Sequence, residues 1–270
     1  MRGWNSRHRQ QRKKRIMRKT TLFAFFLAAF TACLYGDHST MPPAVDMVQN
    51  LKYTVVIDPA HGGGDWGVNI RGIMEKEINL KTAKLIKQKL EKAKAGITVY
   101  LTRDNDSFVT AADRAGFANS KKASAFISVH CDYSANPAAE GYKVYYSAGE
   151  NLGPQKNNSE VLDWTKVQLY HIDESMRLAA FISQYLQASL IPETGAAGNN
   201  GVNSTVAGKY RKEQSAVLVS LEGADMPAVD IELGNLNNAN DASYLKDDKA
   251  LNAMAYHIKE AVCYFLKEKK

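Results

Sequence analysis

Three short runs rich in apolar and β-branched residues, each ending abruptly in a polar segment, constrain the fold of this chain most strongly. The runs are YTVVID at 53–58, AFISV at 125–129 and AVDI at 228–231. Their length and composition predict buried strands. Between them, apolar residues recur every three or four positions, which predicts amphipathic helices. Strands that alternate with helices indicate an α/β domain.

The same two periods predict the remaining elements. Further strands are predicted at 98–102, 142–146 and 216–221, and helices at 75–94, 111–119, 174–190 and 251–266. The Gly- and Asn-rich stretch 195–208 is predicted to be a loop. Because near-continuous apolar strands are typical of a sheet covered on both sides, we predict a single α/β domain at 51–270. Its sheet is expected to be mixed and mostly parallel, with helices on both faces.

The net charge of +7 arises at the start of the chain rather than in the predicted domain. Residues 1–33 hold nine of the 35 Lys and Arg residues and no acidic residue, which leaves 26 basic and 28 acidic residues in the rest. A body with this balance has no excess positive charge to attract phosphate backbones. A nucleic-acid partner is therefore not expected.

Residues 1–33 have the pattern of an export signal. A basic stretch precedes the apolar run 21–30, which is too short to span a bilayer as a mature helix. The alternative is a basic disordered arm beside a buried helix. We predict a signal peptide, and hence a protein exported to the periplasm or cell envelope.

The end of this signal, Phe30-Thr31-Ala32-Cys33, resembles a bacterial lipobox, with Phe30 where Leu is usual. A lipid anchor at Cys33 would then be the only link to a membrane. Met17 is an alternative start of the chain. Residues 34–50, which include two consecutive prolines and have no clear period, are predicted to be a linker.

Four polar side chains stand where predicted strands end or where the first long helix begins. His61, His130 and Glu232 follow the three apolar runs, and Glu75 opens the helix. Because the carboxyl ends of parallel strands meet at one edge of a sheet, we expect these groups to converge. Two imidazoles and a carboxylate, with one position left open, are the ligands expected of a hydrolytic zinc ion. A further carboxylate can then transfer the proton of an activated water.

Each of these residues also has a simpler interpretation. The turn 61–65 (HGGGD) could hold a phosphate at a helix N-terminus, although it lacks the Gly-Lys-Ser or Gly-Lys-Thr ending of a P-loop. Glu75 could be a helix-start acid favoured by the macrodipole, and His130 a core histidine. For Glu232 the simpler reading is weaker, because a carboxylate is costly to bury without a partner. Three other carboxylates remain alternatives for these roles: Asp58, Asp65 and Glu77.

Six landmarks occur in order along the predicted domain, from about residue 52 to the last helix. They are VVIDPAHGGGDWG, MEKEINL, LTR at 101–103, Arg114 with AN at 118–119, FISVH and MPAVDIELGNLNN. Together they resemble the zinc-dependent N-acetylmuramoyl-L-alanine amidases of the Amidase_3 type. The resemblance implies that His61, Glu75 and His130 bind zinc, that Glu75 rather than Glu77 is the ligand, and that Glu232 is the catalytic carboxylate.

In peptidoglycan, the reaction implied is hydrolysis of the amide that joins N-acetylmuramic acid to the L-alanine of the peptide stem. Two alternatives stay open, namely a non-catalytic peptidoglycan-binding lipoprotein with this fold and another zinc peptidase of the cell wall. Three residues depart from the family pattern without removing a ligand: Ala60 for Gly, Cys131 for Ala or Asn, and Asn235 for Phe. We expect the loss of the Phe to alter the packing of the catalytic loop and to weaken or narrow activity.

The segment 148–172 is longer than the corresponding part of the minimal family pattern. In some members such an insertion blocks the cleft until an activator protein displaces it. The resemblance therefore suggests that 148–172 partly cover the site and that an activator is a partner. The alternative is a surface loop without a regulatory role.

Overall fold

The computed structural model describes residues 52–93, 96–147, 164–189, 205–207 and 219–268. All of these lie within one compact unit that comprises residues 44–270. The predicted signal peptide, the linker and residues 148–163 fall outside the described residues. Within the described ranges, none of the helices combines the length and apolar character needed to cross a bilayer.

Eight strands and five α-helices occur in the described part of the chain. The strands are β1 (Tyr53–Pro59), β2 (Asn69–Ile70), β3 (Ile73–Met74), β4 (Ile97–Leu101), β5 (Ala125–Asp132), β6 (Lys143–Tyr145), β7 (Thr205–Ala207) and β8 (Ala228–Asn235). The α-helices are α1 (Glu75–Lys92), α2 (Ala111–Ser120), α3 (Ile172–Ser189), α4 (Ala239–Lys246) and α5 (Asp248–Glu268). Two 3₁₀ helices span Trp164–His171 and Val219–Leu221.

Six of the described strands form one sheet in the order β4-β1-β5-β8-β6-β7. β4, β1, β5 and β8 are parallel, β6 is antiparallel to β8, and β7 is parallel to β6. β2 and β3 form a separate antiparallel pair just before α1. The predicted mixed, mostly parallel sheet is therefore confirmed.

The alternation of side chains along the strands divides the core between the two faces of the sheet. Val55 and Ile57 of β1 pack with apolar residues of α1, α3 and α5. Val56, between them, packs with α2 and with Phe126 and Ala228 of the neighbouring strands. Helices cover both faces, as predicted, because each strand presents apolar side chains in both directions.

Two local predictions were wrong. The predicted strand at 216–221 ends instead in the 3₁₀ helix Val219–Leu221, and 216–218 lie outside the described residues. β8 is already paired with β5 and β6, so this apolar run has no edge of β8 to join, and Leu221 packs on the α2 face instead. In the predicted loop 195–208, residues 205–207 form β7 at the edge of the sheet beside β6.

Candidate metal centre

The side chains of His61, Glu75 and His130 meet at the carboxyl edge of the parallel strands. One ligand atom from each lies within 4.8 Å of the other two, a grouping found only once in the part of the chain that the structure describes. His61 Nε2 and His130 Nδ1 are each 3.2 Å from Glu75 Oε1. The two imidazole rings stand edge to face, with 5.2 Å between their centroids. These three residues, far apart in sequence, thus converge on one point.

Glu75 is the buried centre of this group. Its Oε2 accepts a hydrogen bond from the Val68 amide at 2.8 Å, and its Oε1 accepts one from the Cys131 amide at 3.0 Å. Burial by itself would raise the pKa of Glu75, but hydrogen bonds and the charges of the two imidazoles outweigh it and hold the pKa well below the usual range. Glu75 is therefore a carboxylate anion between two imidazoles, and its oxygen can donate an electron pair to a metal ion.

His61 lies in a tight turn with a left-handed backbone, at φ +62°. Its Nδ1 is 2.8 Å from Asp65 Oδ2, which fixes the ring with Nε2 toward Glu75. Gly67 leaves the space that this arrangement needs, since a Cβ there would lie 2.5 Å from Glu75 Oε2 and 2.7 Å from His61 Cδ2. Burial lowers the pKa of His61, but the hydrogen bond and charge of Glu75 raise it by more.

Two buried arginines hold the backbone around this turn. Arg103 Nε donates to the Pro59 carbonyl at 2.7 Å, and Arg114 donates to the same carbonyl at 3.0 Å. Arg114 also donates to the His61 carbonyl at 2.9 Å and forms a 2.6 Å ion pair with Asp58. Because guanidinium groups donate several hydrogen bonds in fixed directions, they set the course of the backbone that carries the first imidazole.

The three carboxylates that the sequence left as alternatives lie elsewhere. Asp58 is fully buried against Arg114, beneath the turn. Asp65 contacts the far side of the His61 ring. Glu77 is an exposed residue in the first turn of α1. The grouping therefore contains Glu75 and none of these three.

Glu232 lies on β8 directly opposite His130 of β5 in the strand register. Only 4% of its surface is exposed, and its Oε2 has no hydrogen-bond partner. Burial and the nearby charge of Asp230 raise the pKa of Glu232 well above its usual value. A buried carboxyl oxygen without a hydrogen-bond partner therefore lies beside the grouping of His61, Glu75 and His130.

Asp230 is a member of this site that the sequence analysis did not identify. Asp230 lies within the apolar run at 228–231, is completely buried, and its Oδ2 lies 3.5 Å from Nε2 of His130. The overlooked signal is the alternation along β8, which puts Asp230 and Glu232 on the same face of the sheet. Burial opposes charge on His130, but Asp230 and Glu75 more than compensate and raise the pKa of His130 to about 10.

Asn235, at the position where the resemblance predicts Phe, is buried and holds the loop that follows β5. Its Oδ1 accepts hydrogen bonds from the amides of Ser134 (3.1 Å) and Asn237 (3.0 Å). Its Nδ2 donates to the Ala139 carbonyl at 2.7 Å. In place of an apolar contact, this position therefore supplies a set of hydrogen bonds to the rim of the site.

Residues 164–172, the described end of the segment 148–172, contact the loop that precedes β8. Gln168 donates to the carbonyls of Ala224 and Met226, and His171 Nε2 lies 3.0 Å from Asp225 Oδ1. This loop leads into the first residue of β8, whereas Glu232 lies farther along the strand toward the carboxyl edge. The described end of the segment is therefore anchored at the end of β8 away from Glu232.

Comparison with known proteins identifies the family to which this domain is related. The family described as N-acetylmuramoyl-L-alanine amidase, Amidase_3, matches residues 55–264. The chain is similar to the endolysin of Bacillus phage SPP1, with 31% identity over 82% of this chain and 68% of the endolysin. It is also similar to the N-acetylmuramoyl-L-alanine amidase LytC of Bacillus subtilis, with 30% identity over 74% of this chain and 34% of LytC.

A solved structure of similar fold is the N-acetylmuramoyl-L-alanine amidase from Clostridium difficile 630. Its TM-score is 0.62 at 25% identity, and the match covers 81% of this chain and 99% of that structure. The chain thus spans nearly all of a solved amidase but only part of the longer relative LytC. The family match extends from β1 into the last helix and includes all four predicted site residues. The chain therefore belongs to the Amidase_3 family of N-acetylmuramoyl-L-alanine amidases.

Proposed function

We propose that this chain is a zinc-dependent N-acetylmuramoyl-L-alanine amidase that hydrolyses the bond between N-acetylmuramic acid and L-alanine in peptidoglycan. The observation that carries the proposal is the convergence of His61, Glu75 and His130 beside the buried, unpaired oxygen of Glu232. Because this arrangement occurs in a member of the N-acetylmuramoyl-L-alanine amidase family, we take peptidoglycan to be the substrate.

The donor atoms suit zinc. Two imidazole nitrogens and one carboxylate oxygen form a common catalytic ligand set for zinc, which leaves a fourth position for water or substrate. Glu75 contributes one negative charge, and Asp65 contacts His61 on the side away from Glu75, as outer carboxylates do at many zinc sites. A zinc ion held by this set supplies Lewis-acid chemistry, which polarises a carbonyl group and makes water more acidic.

Glu232 is the proposed proton carrier. Its free oxygen accepts a proton from the attacking water and then passes that proton to the departing amide nitrogen. The raised pKa of Glu232, caused by burial and by the charge of Asp230, favours uptake of a proton by this carboxylate. Burial protects the transfer from bulk water, and the pairing of β8 with β5 places Glu232 opposite His130.

Digestion of purified peptidoglycan, with mass identification of the products, tests this proposal. We expect the wild-type protein with zinc to release intact stem peptides that begin with L-alanine, and a chelator to stop the release. Glu232→Gln should bind zinc normally but hydrolyse about 10²–10⁴-fold more slowly. Glu77→Gln, an exposed substitution of the same chemistry, is the matched control and should act like the wild type.

Three outcomes would count against the proposal. Near-full activity of Glu232→Gln would remove this residue from the mechanism. Products cut within the stem peptide would indicate a zinc peptidase instead. Binding to peptidoglycan with no product at any zinc concentration would indicate a non-catalytic binding protein.

We also propose that the protein is exported to the cell envelope, where its substrate lies. The signal-like pattern of residues 1–33 supports this location, as does the similarity to LytH of Staphylococcus saprophyticus, which is described as a probable cell wall amidase. Lipidation of Cys33 is part of the proposal, and mass analysis of the mature N-terminus tests it. A mature chain that begins elsewhere than Cys33 would exclude the anchor.

A further inference from the structure

We propose that Asp230 is a positioning residue of the metal centre: in the metal-bound protein it accepts a hydrogen bond from Nε2–H of His130 and so presents Nδ1 of that ring to the metal. The inference rests on the proposed function, because it requires that His130 bind a metal ion. It assigns a role to a buried carboxylate that the proposed hydrolysis itself does not use.

The geometry places the His130 ring between two carboxylates. Nδ1 lies 3.2 Å from Glu75 Oε1, and Nε2 lies 3.5 Å from Asp230 Oδ2 on the other side. This arrangement follows from the strand register, in which Ser128 pairs with Asp230 and His130 pairs with Glu232. Asp230 therefore lies one row behind the ring, on the same face of the sheet.

Asp230 has few other partners. Its Oδ2 accepts a hydrogen bond from Ser220 Oγ at 3.0 Å, while its Oδ1 has no hydrogen-bond partner. In the part of the chain that the structure describes, His130 is the only basic side chain within ion-pair distance of it. Nε2 of His130 is itself a buried atom without a hydrogen bond, so a slight turn of either side chain would satisfy both groups.

Asp58 shows what a purely structural carboxylate looks like in the same sheet. It occupies the same row as Ser128 on the next strand and is equally buried, but it is ion-paired with Arg114 and accepts a hydrogen bond from the Ser128 hydroxyl at 2.9 Å. Asp230 has no comparable set of partners among the described residues. Because a buried carboxylate without such partners is costly, its presence beside the ring suggests that the ring is the partner it serves.

The chemistry of histidine ligation explains the benefit. A metal ion on Nδ1 needs the lone pair of that nitrogen, which requires the ring proton to reside on Nε2. A carboxylate that accepts this proton in a hydrogen bond favours that tautomer and fixes the ring. Metal-binding histidines commonly have such an outer partner, and its loss typically weakens metal affinity 10- to 100-fold.

Zinc titrations of three variants test the assignment. Asp230→Asn removes the charge but keeps an oxygen acceptor, and Asp230→Leu removes both. Asp132→Asn is the matched control, because Asp132 lies two residues from His130 on the same edge and forms its ion pair with Lys143. Zinc dissociation constants would be measured by competition with a chromophoric chelator, and thermal unfolding of the zinc-free proteins would be recorded alongside.

We expect zinc affinity to fall about 10- to 100-fold in Asp230→Leu, less in Asp230→Asn, and by less than about threefold in Asp132→Asn. Unchanged affinity in both Asp230 variants would overturn the assignment and leave Asp230 a structural residue. A wild-type protein that binds no zinc would instead refute the proposed function, so the two failures are distinguishable.

A long-range ¹H–¹⁵N spectrum of the zinc-loaded wild type gives a direct check. We expect the His130 ring proton on Nε2, and a proton on Nδ1 with the metal on Nε2 would contradict the inference. This result does not depend on any variant folding correctly.

Discussion

The Arg114–Asp58 ion pair beneath the metal turn gives the sharpest prediction about how the fold holds the site. Both side chains are almost completely buried, and Arg114 also donates to the His61 carbonyl. Arg114→Met would remove the cation while leaving the Asp58 carboxylate inside the protein with only the hydroxyls of Thr102 and Ser128. Removing one partner of a buried ion pair costs about 3–5 kcal/mol, because the remaining charge is stranded.

For a domain of this size, each kcal/mol lowers the midpoint of thermal unfolding by about 2–4 °C, so the expected fall is roughly 6–20 °C. The free energy of unfolding would be measured in urea, with a chelator present so that metal binding does not add to it. Zinc affinity of Arg114→Met should fall as well, because the backbone that carries His61 loses its anchor.

The double variant Asp58→Asn with Arg114→Met separates the stranded charge from the lost contacts. Because it no longer buries an unpaired carboxylate, we expect it to be more stable than Arg114→Met alone by about 1–3 kcal/mol. A loss below about 1 kcal/mol in the single variant, or a double variant no more stable than the single one, would refute the reasoning.

Three further predictions concern the rim of the site and its protons. Gly67→Ala forces a Cβ to within 2.5 Å of Glu75 Oε2 and should weaken zinc binding at least about tenfold in a zinc titration. Gly72 also has a positive φ, but a Cβ there would have nothing within 4 Å, so Gly72→Ala should leave zinc affinity unchanged. Zinc affinity should rise between pH 6 and 8, because the pKa values of His61 and His130 are raised and both imidazoles must lose a proton before they bind zinc. Calorimetry in buffers of different ionisation enthalpy should detect the release of these protons, and a zinc affinity that does not change with pH would contradict the prediction. Asn235→Ala should cost about 1–3 kcal/mol and speed hydrogen exchange at the Ser134 amide, and unchanged exchange there would argue against its role in holding the loop.

The grouping of His61, Glu75 and His130 could be predicted from the sequence because it depends on strand ends. An apolar run with a histidine at or just beyond its end marks the carboxyl edge of a parallel sheet, and two such runs on neighbouring strands bring His61 and His130 together. Spacing alone could not separate Glu75 from Glu77, since both lie in the first turn of α1 and only the orientation of that helix decides which one points inward. The resemblance to the family supplies that choice, and Glu75 is the one of the two that lies in the grouping with both imidazoles.

The features that could not be predicted from the sequence depend on contacts between distant segments of the chain. Asp230 looked like an exception in an apolar strand, and its place beside His130 follows only from the pairing of β5 with β8. The run before β8 has strand composition, but the pairing of β8 on both sides leaves it no edge there, so Val219–Leu221 coils into a 3₁₀ helix. A short edge strand such as β7 has too few residues to show the alternation of apolar and polar positions by which a strand is predicted.

Anomalous scattering at the zinc absorption edge, from crystals grown with zinc, tests the central claim most directly. The account predicts one strong peak bounded by a ring nitrogen of His61, a carboxylate oxygen of Glu75 and Nδ1 of His130, with Glu232 beside it. No peak among these three side chains at saturating zinc, or a peak held by other residues, would contradict it.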